Sequence, residues 1–401
     1  MNNRTYISPL IFIILLGYVL LVGGTVPYFL FYTMLLIYLI PFIHCLICYL
    51  FLKGTVEIPE GNLHAGDTIT IMYKINNKSI LPITYLEIEN DFSKKLTGKT
   101  SPKVILSIEK KGYYNGSETI ILKRRGFYEV GEISVTIKDA FGFFSLKKKI
   151  STPTSLLVYP EVIDISTFKT STTQQTGELS IKDPSFQDKS RINSLREYQE
   201  GDSIKSIHWK QTAKKNTPIV KEYENSYDTQ LVIFLDNEYR LFKNDIDTRI
   251  EDKIVDVTAS IINYCLNQKI EVTLETQNYD STIKIKGMQK SDFKPFLEVL
   301  ARFRGNGKSN FSTFISSKID IIKRSSTVVL VTPNLDKKIG SLGIKLRMKN
   351  LYPVFIVVTD YENNNGYMDV IIEKKLKSEG IPVYWLDCKT NVKEILEAHY
   401  G

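Results

Sequence analysis

The feature that most constrains this chain is a stretch from Tyr6 to Leu52 that contains no Lys, Arg, Asp or Glu. Gly23, Gly24 and Pro27 divide it into two apolar segments, residues 6–22 and 26–52. Each is close to the ~20 residues that carry a helix across a bilayer. A secretory signal shares this apolar character, but the run is too long and lacks a small-residue cleavage site. Residues 1–53 therefore read as a transmembrane hairpin of two helices, with the lipid bilayer as the first expected partner and the cell membrane as the location. A tight hairpin returns the chain to its starting side, and the flanking cations Arg4 and Lys53 favour the cytoplasm for that side.

Charge and cysteine usage agree with this. The 52 Lys and Arg against 44 Asp and Glu give a net charge of +8. These cations are spread along the chain, so attraction to anionic lipid accounts for the excess and no nucleic-acid partner is expected. His44, Cys45 and Cys48 cluster inside the second apolar segment without a carboxylate, which favours packing over metal binding. Cys265 and Cys388 lie beside apolar runs and read as small core residues, not a disulfide pair.

Residues 54–160 read as strands. Ile69, Ile71, Tyr73 and Ile75 alternate along one face, and the same period of two recurs at residues 104–108 and 133–137. Gly66-Asp67, Asn76-Asn77, Asn115-Gly116 and Gly131 supply the turns. The pattern predicts an antiparallel β-sandwich of about seven strands. Residues 161–194 are rich in Ser, Thr, Gln, Lys and Asp and read as a surface linker.

From residue 229 to 401 the pattern becomes an alternation of strands and helices. Apolar strands are expected at residues 231–235, 270–274, 327–331, 353–358 and 381–386. Helices are expected at 246–266, 291–303, 336–348, 368–377 and 391–398, the first with Ile250, Ile254, Val257, Ile261 and Cys265 as its buried stripe. Continuous apolar strands between amphipathic helices imply a doubly wound, mostly parallel sheet whose working site lies at the carboxyl ends of the strands.

Between linker and sheet, residues 195–228 are dense in charge and aromatics: Arg196, Tyr198, Gly201, Asp202, His208, Trp209, Lys210, Lys221 and Glu222. Asp202 suits an N-cap for a helix over residues 203–212 that turns Ile204, Ile207 and Trp209 partly inward. No Ser or Cys stands in a recognisable nucleophile setting. The run Gly305-Asn306-Gly307-Lys308-Ser309 ends like a phosphate-binding loop, but Arg302 stands where the first glycine belongs and no apolar strand leads into it.

Four motifs together resemble the family called "domain of unknown function 58": RRGFYEVG at residues 124–131, DAFGFF at 139–144, VYP at 158–160, and REYQEGDSIKSIHWKQTAKKNTPIVKEYE at 196–224. The resemblance implies a C-terminal domain similar to the von Willebrand factor A fold, which often holds a divalent metal on an Asp-x-Ser-x-Ser run. Here that run is Asp236-Asn237-Glu238-Tyr239-Arg240, so Glu238 and Arg240 replace the two hydroxyls. Pro333 stands where a later aspartate is expected, and Ser309 is the one candidate for the remaining hydroxyl ligand. The site reads as degenerate, with no metal and no other cofactor. The resemblance further implies a non-enzymatic, membrane-anchored scaffold or adaptor. Its α/β domain would bind a MoxR-type AAA+ ATPase in envelope protein assembly or maturation. The alternative is an enzyme of unknown reaction centred on Asp202 and His208.

Overall fold

The computed structural model describes residues 4–59, 61–151, 153–168, 192–199, 206–215, 217–223, 230–279 and 281–397. Gly201 and Asp202, and with them the start of the helix expected over residues 203–212, lie outside the described residues. The chain forms two compact units, with the main division between Glu161 and Val162.

The first unit begins with the helices Arg4–Val22 and Thr25–Phe51. They are separated by Gly23 and Gly24 at φ +65° and +92°, a backbone conformation that side-chain-bearing residues rarely adopt. The rings of Phe12 and Phe31 meet across this break at 5.3 Å. Among the described residues, Thr25–Phe51 is the one helix long and apolar enough to cross a membrane.

That helix passes directly into strand Leu52–Glu57, which pairs antiparallel with Thr68–Asn77; Tyr113–Ile121 completes a three-stranded sheet. A four-stranded antiparallel sheet follows in the order Val104–Ile108, Ile83–Asn90, Ile133–Lys138, Ser145–Lys149. A third sheet joins Leu63–His64, Thr154–Tyr159 and Gly126–Val130, its first pair parallel. The alternation holds where it was strongest: Ile69, Ile71, Tyr73 and Ile75 are all buried. One cluster gathers Ile71, Ile75, Leu86, Val135 and Ile137 with Cys45, Cys48 and Leu52, so the strands pack on the end of the apolar helix. Burying each such aliphatic side chain contributes roughly 1.5–3 kcal/mol. This β-rich region has more strands than the sequence pattern predicts. It also contains a short helix, Phe92–Thr97, closed by Gly98 at φ +75°.

The second unit is built on a six-stranded mixed sheet. Its order is Ser281–Gly287, Glu271–Asn278, Gln230–Leu235, Thr327–Thr332, Tyr352–Thr359, Val383–Asp387. All neighbours are parallel except the first pair. The antiparallel edge strand Ser281–Gly287 and the helix Phe311–Lys318 are additions to the elements read from sequence. Helix Arg249–Asn267 buries Ile250, Ile254, Val257, Ile261 and Cys265, as its spacing predicts. Residues 162–168, at the start of the polar run, dock on the same unit: Ile165 and Phe168 are buried, and Ile163 N donates to Ser260 Oγ at 3.0 Å. Strand Gln230–Leu235 is flanked on one side by the second strand in sequence and on the other by the fourth. The chain thus leaves it in opposite directions, and the crevice at such a reversal opens at the carboxyl ends, beside Asp236 and Thr332.

Candidate functional site

Asp236 follows the central strand and is fully buried. Its Oδ2 accepts from Thr332 Oγ1 at 2.7 Å, and its Oδ1 accepts from Glu238 N at 2.9 Å. Burial outweighs those two donors and, with the nearby Glu238 carboxylate adding to it, pushes the carboxyl up to about 7. Thr332 serves either protonation state. Its hydroxyl also lies 3.1 Å from Asn334 O and accepts from Asn334 N at 3.1 Å, so it has an alternative acceptor when Asp236 carries the proton.

The neighbouring Asn237 donates Nδ2 to Gln277 O at 2.6 Å, while its buried Oδ1 has no hydrogen-bond partner among the described residues. That oxygen faces Gly307, where a Cβ would stand only 2.3 Å from it. Gly307 N donates to Asn237 O at 2.8 Å, and Tyr239 N donates to Gly307 O at 3.0 Å. The glycine-rich run 305–309 is therefore laced to the end of the central strand by its backbone. Gly305 N also donates to the buried Glu251 carboxylate at 2.9 Å.

The positions matched to a divalent-metal site are dispersed in function. Glu238 Oε2 accepts from Phe311 N at 3.2 Å. Arg240 and Ser309 are exposed, and Pro333 is buried with its carbonyl accepting from Tyr367 N at 3.0 Å. Among the described residues, no group of three or more His, Cys, Asp or Glu is placed to hold a metal. The donor set at Asp236 is a poor fit to a hard divalent ion, which gathers several oxygens at once.

A second polar cluster stands at the ends of Tyr352–Thr359 and Val383–Asp387. The Arg249 guanidinium lies 3.3 Å from the buried Asp360 and 2.9 Å from Glu362, which also pairs with Lys389. Asp360 Oδ2 accepts from Asn363 Nδ2 at 2.6 Å, while its Oδ1 is buried without a hydrogen-bond partner among the described residues. Burial, reinforced by Asp360, pushes the adjacent Cys388 thiol up to about 12, and burial alone does the same to Cys265. Both remain thiols at neutral pH, a poor state for a nucleophile.

The signature segment forms its own small structure. Strands Ile192–Glu197 and Ile219–Tyr223 pair antiparallel, setting Ser194 opposite Glu222, Leu195 opposite Lys221 and Arg196 opposite Val220. The helix between them is Trp209–Lys215, later than the one expected over residues 203–212. His208 starts it: Nδ1 accepts from Gln211 N at 3.3 Å, the bond an N-cap side chain makes, while His208 N donates to Ile219 O at 2.8 Å. Accepting at Nδ1 places the imidazole proton on Nε2. Thr212 Oγ1 accepts from Ile219 N at 3.0 Å, and Tyr198 N donates to Pro218 O at 2.9 Å. Trp209 departs from the inward orientation expected of it, being 67% exposed. Leu195 and Tyr198 are exposed too, Lys210 is exposed and Lys221 is half-buried. The segment thus brings Arg196, Tyr198, His208, Trp209, Lys210 and Lys221 onto one hairpin with its helix. Thr332, Asn237 and Asp360 were not singled out by sequence; each sits at or just after a strand end, the one signal that marks them.

An N-terminal apolar helix, a β-rich region and an α/β region with a mixed sheet define the class to which this chain belongs. The sequence model of the family described as "Protein of unknown function DUF58" matches residues 194–359, covering the signature segment and the sheet as far as Tyr352–Thr359. The chain is similar to "Uncharacterized protein YeaD" of Bacillus subtilis (strain 168), 25% identical over 256 residues, and spans 62% of that relative's length and 62% of its own. Among solved structures, a CARDB domain from Pyrococcus furiosus covers 27% of this chain and 91% of its own, at 11% identity and a TM-score of 0.21. Proximal thread matrix protein 1 from the mussel byssus covers 42% of this chain and 46% of its own, at 12% identity and a TM-score of 0.30. At those scores neither structure carries an argument about this one.

Proposed function

We propose that this chain is a membrane-anchored, non-enzymatic scaffold or adaptor whose α/β region docks a protein partner, a MoxR-type AAA+ ATPase, in envelope protein assembly or maturation. The observation that carries the reading is the exposure of Trp209, with Leu195 and Tyr198, on a hairpin whose His208 and Thr212 side chains hold its own shape. Exposed aromatics on a fixed frame are what protein interfaces use as anchors. The enzyme reading centred on Asp202 and His208 is the weaker one, because the His208 lone pair at Nδ1 is engaged in capping a helix.

Two finer features belong to the same proposal. The strand order, with its single antiparallel edge strand, supports a von Willebrand factor A-like α/β region, and the exposure of Arg240 and Ser309 supports a degenerate metal site in it. The apolar helices on either side of Gly23 and Gly24 support a two-span hairpin, and Arg4 and Lys53 support a cytoplasmic soluble part. The partner is tested by passing the full chain in detergent over an immobilised MoxR-type ATPase from the same organism, with and without ATP. Retention that is lost on Trp209→Ala, with folding unchanged, is the expected result. Failure of the unsubstituted chain to bind in either nucleotide condition sinks the proposal.

A further inference from the structure

The turn between strands Ile133–Lys138 and Ser145–Lys149 carries Phe141, Phe143 and Phe144, and one side chain fixes its shape. Asp139 Oδ2 accepts from Phe141 N at 2.9 Å and Oδ1 accepts from Phe144 N at 2.6 Å, while Gly142 takes φ +77°. Tips of solvated turns are ordinarily polar. Here Phe141 is 70% exposed and stacks on the 38%-exposed Phe143 at 5.7 Å.

The tip is continuous with the apolar helix Thr25–Phe51. Phe143 lies 4.8 Å from Tyr38, and Phe144 lies 5.3 Å from Phe42. Around that part of the helix, Pro41, Cys45 and Cys48 are buried, while Leu39, Ile43, Leu46 and Leu50 form an exposed apolar stripe on the opposite face. Counted from Thr25, the ~20 residues that cross a ~30 Å hydrocarbon layer end at His44. Tyr38 then lies about 9 Å inside that boundary, at 1.5 Å per residue. Apolar side chains that lie in a membrane interface are buried to a comparable depth, about 5–10 Å.

We propose that residues 139–144 are an interfacial lipid anchor, inserting Phe141 and Phe143 at the headgroup–acyl boundary beside the helix. The proposal rests on Thr25–Phe51 crossing the membrane. The occupant is lipid and not a second protein because Leu39 and Ile43 of the exposed stripe lie on the membrane side of His44, at the depth of the tip. A water-facing tip of this composition has no polar group to offer solvent beyond its backbone.

The test places tryptophan at the tip, Phe141→Trp, in the full chain reconstituted into vesicles of equimolar phosphatidylcholine and phosphatidylglycerol. Ile121→Trp is the control. Ile121 is exposed and opposite Thr68, at the far end of the sheet from the Leu52–Asn77 pair. Trp209 and Trp385 of the unsubstituted chain set the baseline. In vesicles with brominated acyl chains the emission added by Phe141→Trp should lose most of its intensity, and that added by Ile121→Trp should lose none. Emission at the tip that is untouched by bromine but quenched by aqueous iodide overturns the proposal. Protection from both quenchers also overturns it, in favour of a protein cover. A chain that fails to float with vesicles removes the membrane reading along with the anchor, whereas one that floats with an unquenched tip removes the anchor alone.

Discussion

Asp236→Asn is the substitution whose outcome the structure fixes most tightly. The carboxyl is fully buried and its pKa is raised from 3.8 to about 7, chiefly by burial. Between those two values the folded chain keeps a proton that the unfolded chain has lost, so stability falls as pH rises from the unfolded pKa and levels off above the folded one. At about 1.4 kcal/mol per pH unit, the ionised form costs the fold roughly 4 kcal/mol once both states are deprotonated. An asparagine has the same shape and no charge. Its Oδ1 can accept from Glu238 N as the native Oδ1 does, and its Nδ2 can donate to Thr332 Oγ1, whose own proton then goes to Asn334 O. The two tryptophans, Trp209 and Trp385, both lie in the second unit, so their fluorescence during urea denaturation reports that unit selectively. The stability difference, variant minus native, should grow by about 3 kcal/mol between about pH 5 and about pH 8 and then stay level. A difference that is flat with pH refutes the burial argument. A variant less stable than the native chain at alkaline pH refutes it more strongly, since it means that the charge itself is stabilised there, as a bound cation would do.

Two further substitutions test the geometry around the site. His208→Ala removes the side-chain acceptor of Gln211 N and leaves it the His208 carbonyl at 3.0 Å, so it should lower the stability of the second unit by about 0.5–1 kcal/mol, read from the midpoint of the same urea transition; His208→Asn, a good cap, should restore most of it. Gly307→Ala sets a methyl 2.3 Å from Asn237 Oδ1 and 3.0 Å from Asn237 O, so the laced backbone must separate. A loss of about 1–3 kcal/mol is expected for such overpacking, and an unchanged midpoint would show that the run 305–309 is not held as described.

What the sequence made legible follows from how each element is buried. Strands Thr327–Thr332 and Tyr352–Thr359 are covered on both faces, which demands near-continuous apolar residues and makes them easy to see. The edge strand Ser281–Gly287 has only one neighbour. Its Lys284 and Lys286 reach to Glu275 and Glu271, so its composition looks like a loop. Phe92–Thr97 is too short to establish a helical period at all. The site divides the same way. Asp236 is legible as the polar residue that ends an apolar strand, but its partner Thr332 lies far along the chain, and only the parallel register of their two strands brings them together. In the signature segment Asp202, the preferred type of N-cap, lies outside the described residues, and the described helix has its start shifted to Trp209, behind His208, a side chain that propensity does not favour as a cap. That shift alters the chemistry as well as the boundary. A helix begun by His208 engages the one imidazole of the segment in a backbone hydrogen bond and turns Trp209 to the outside, so the residues most suggestive of catalysis become the frame of an exposed aromatic surface.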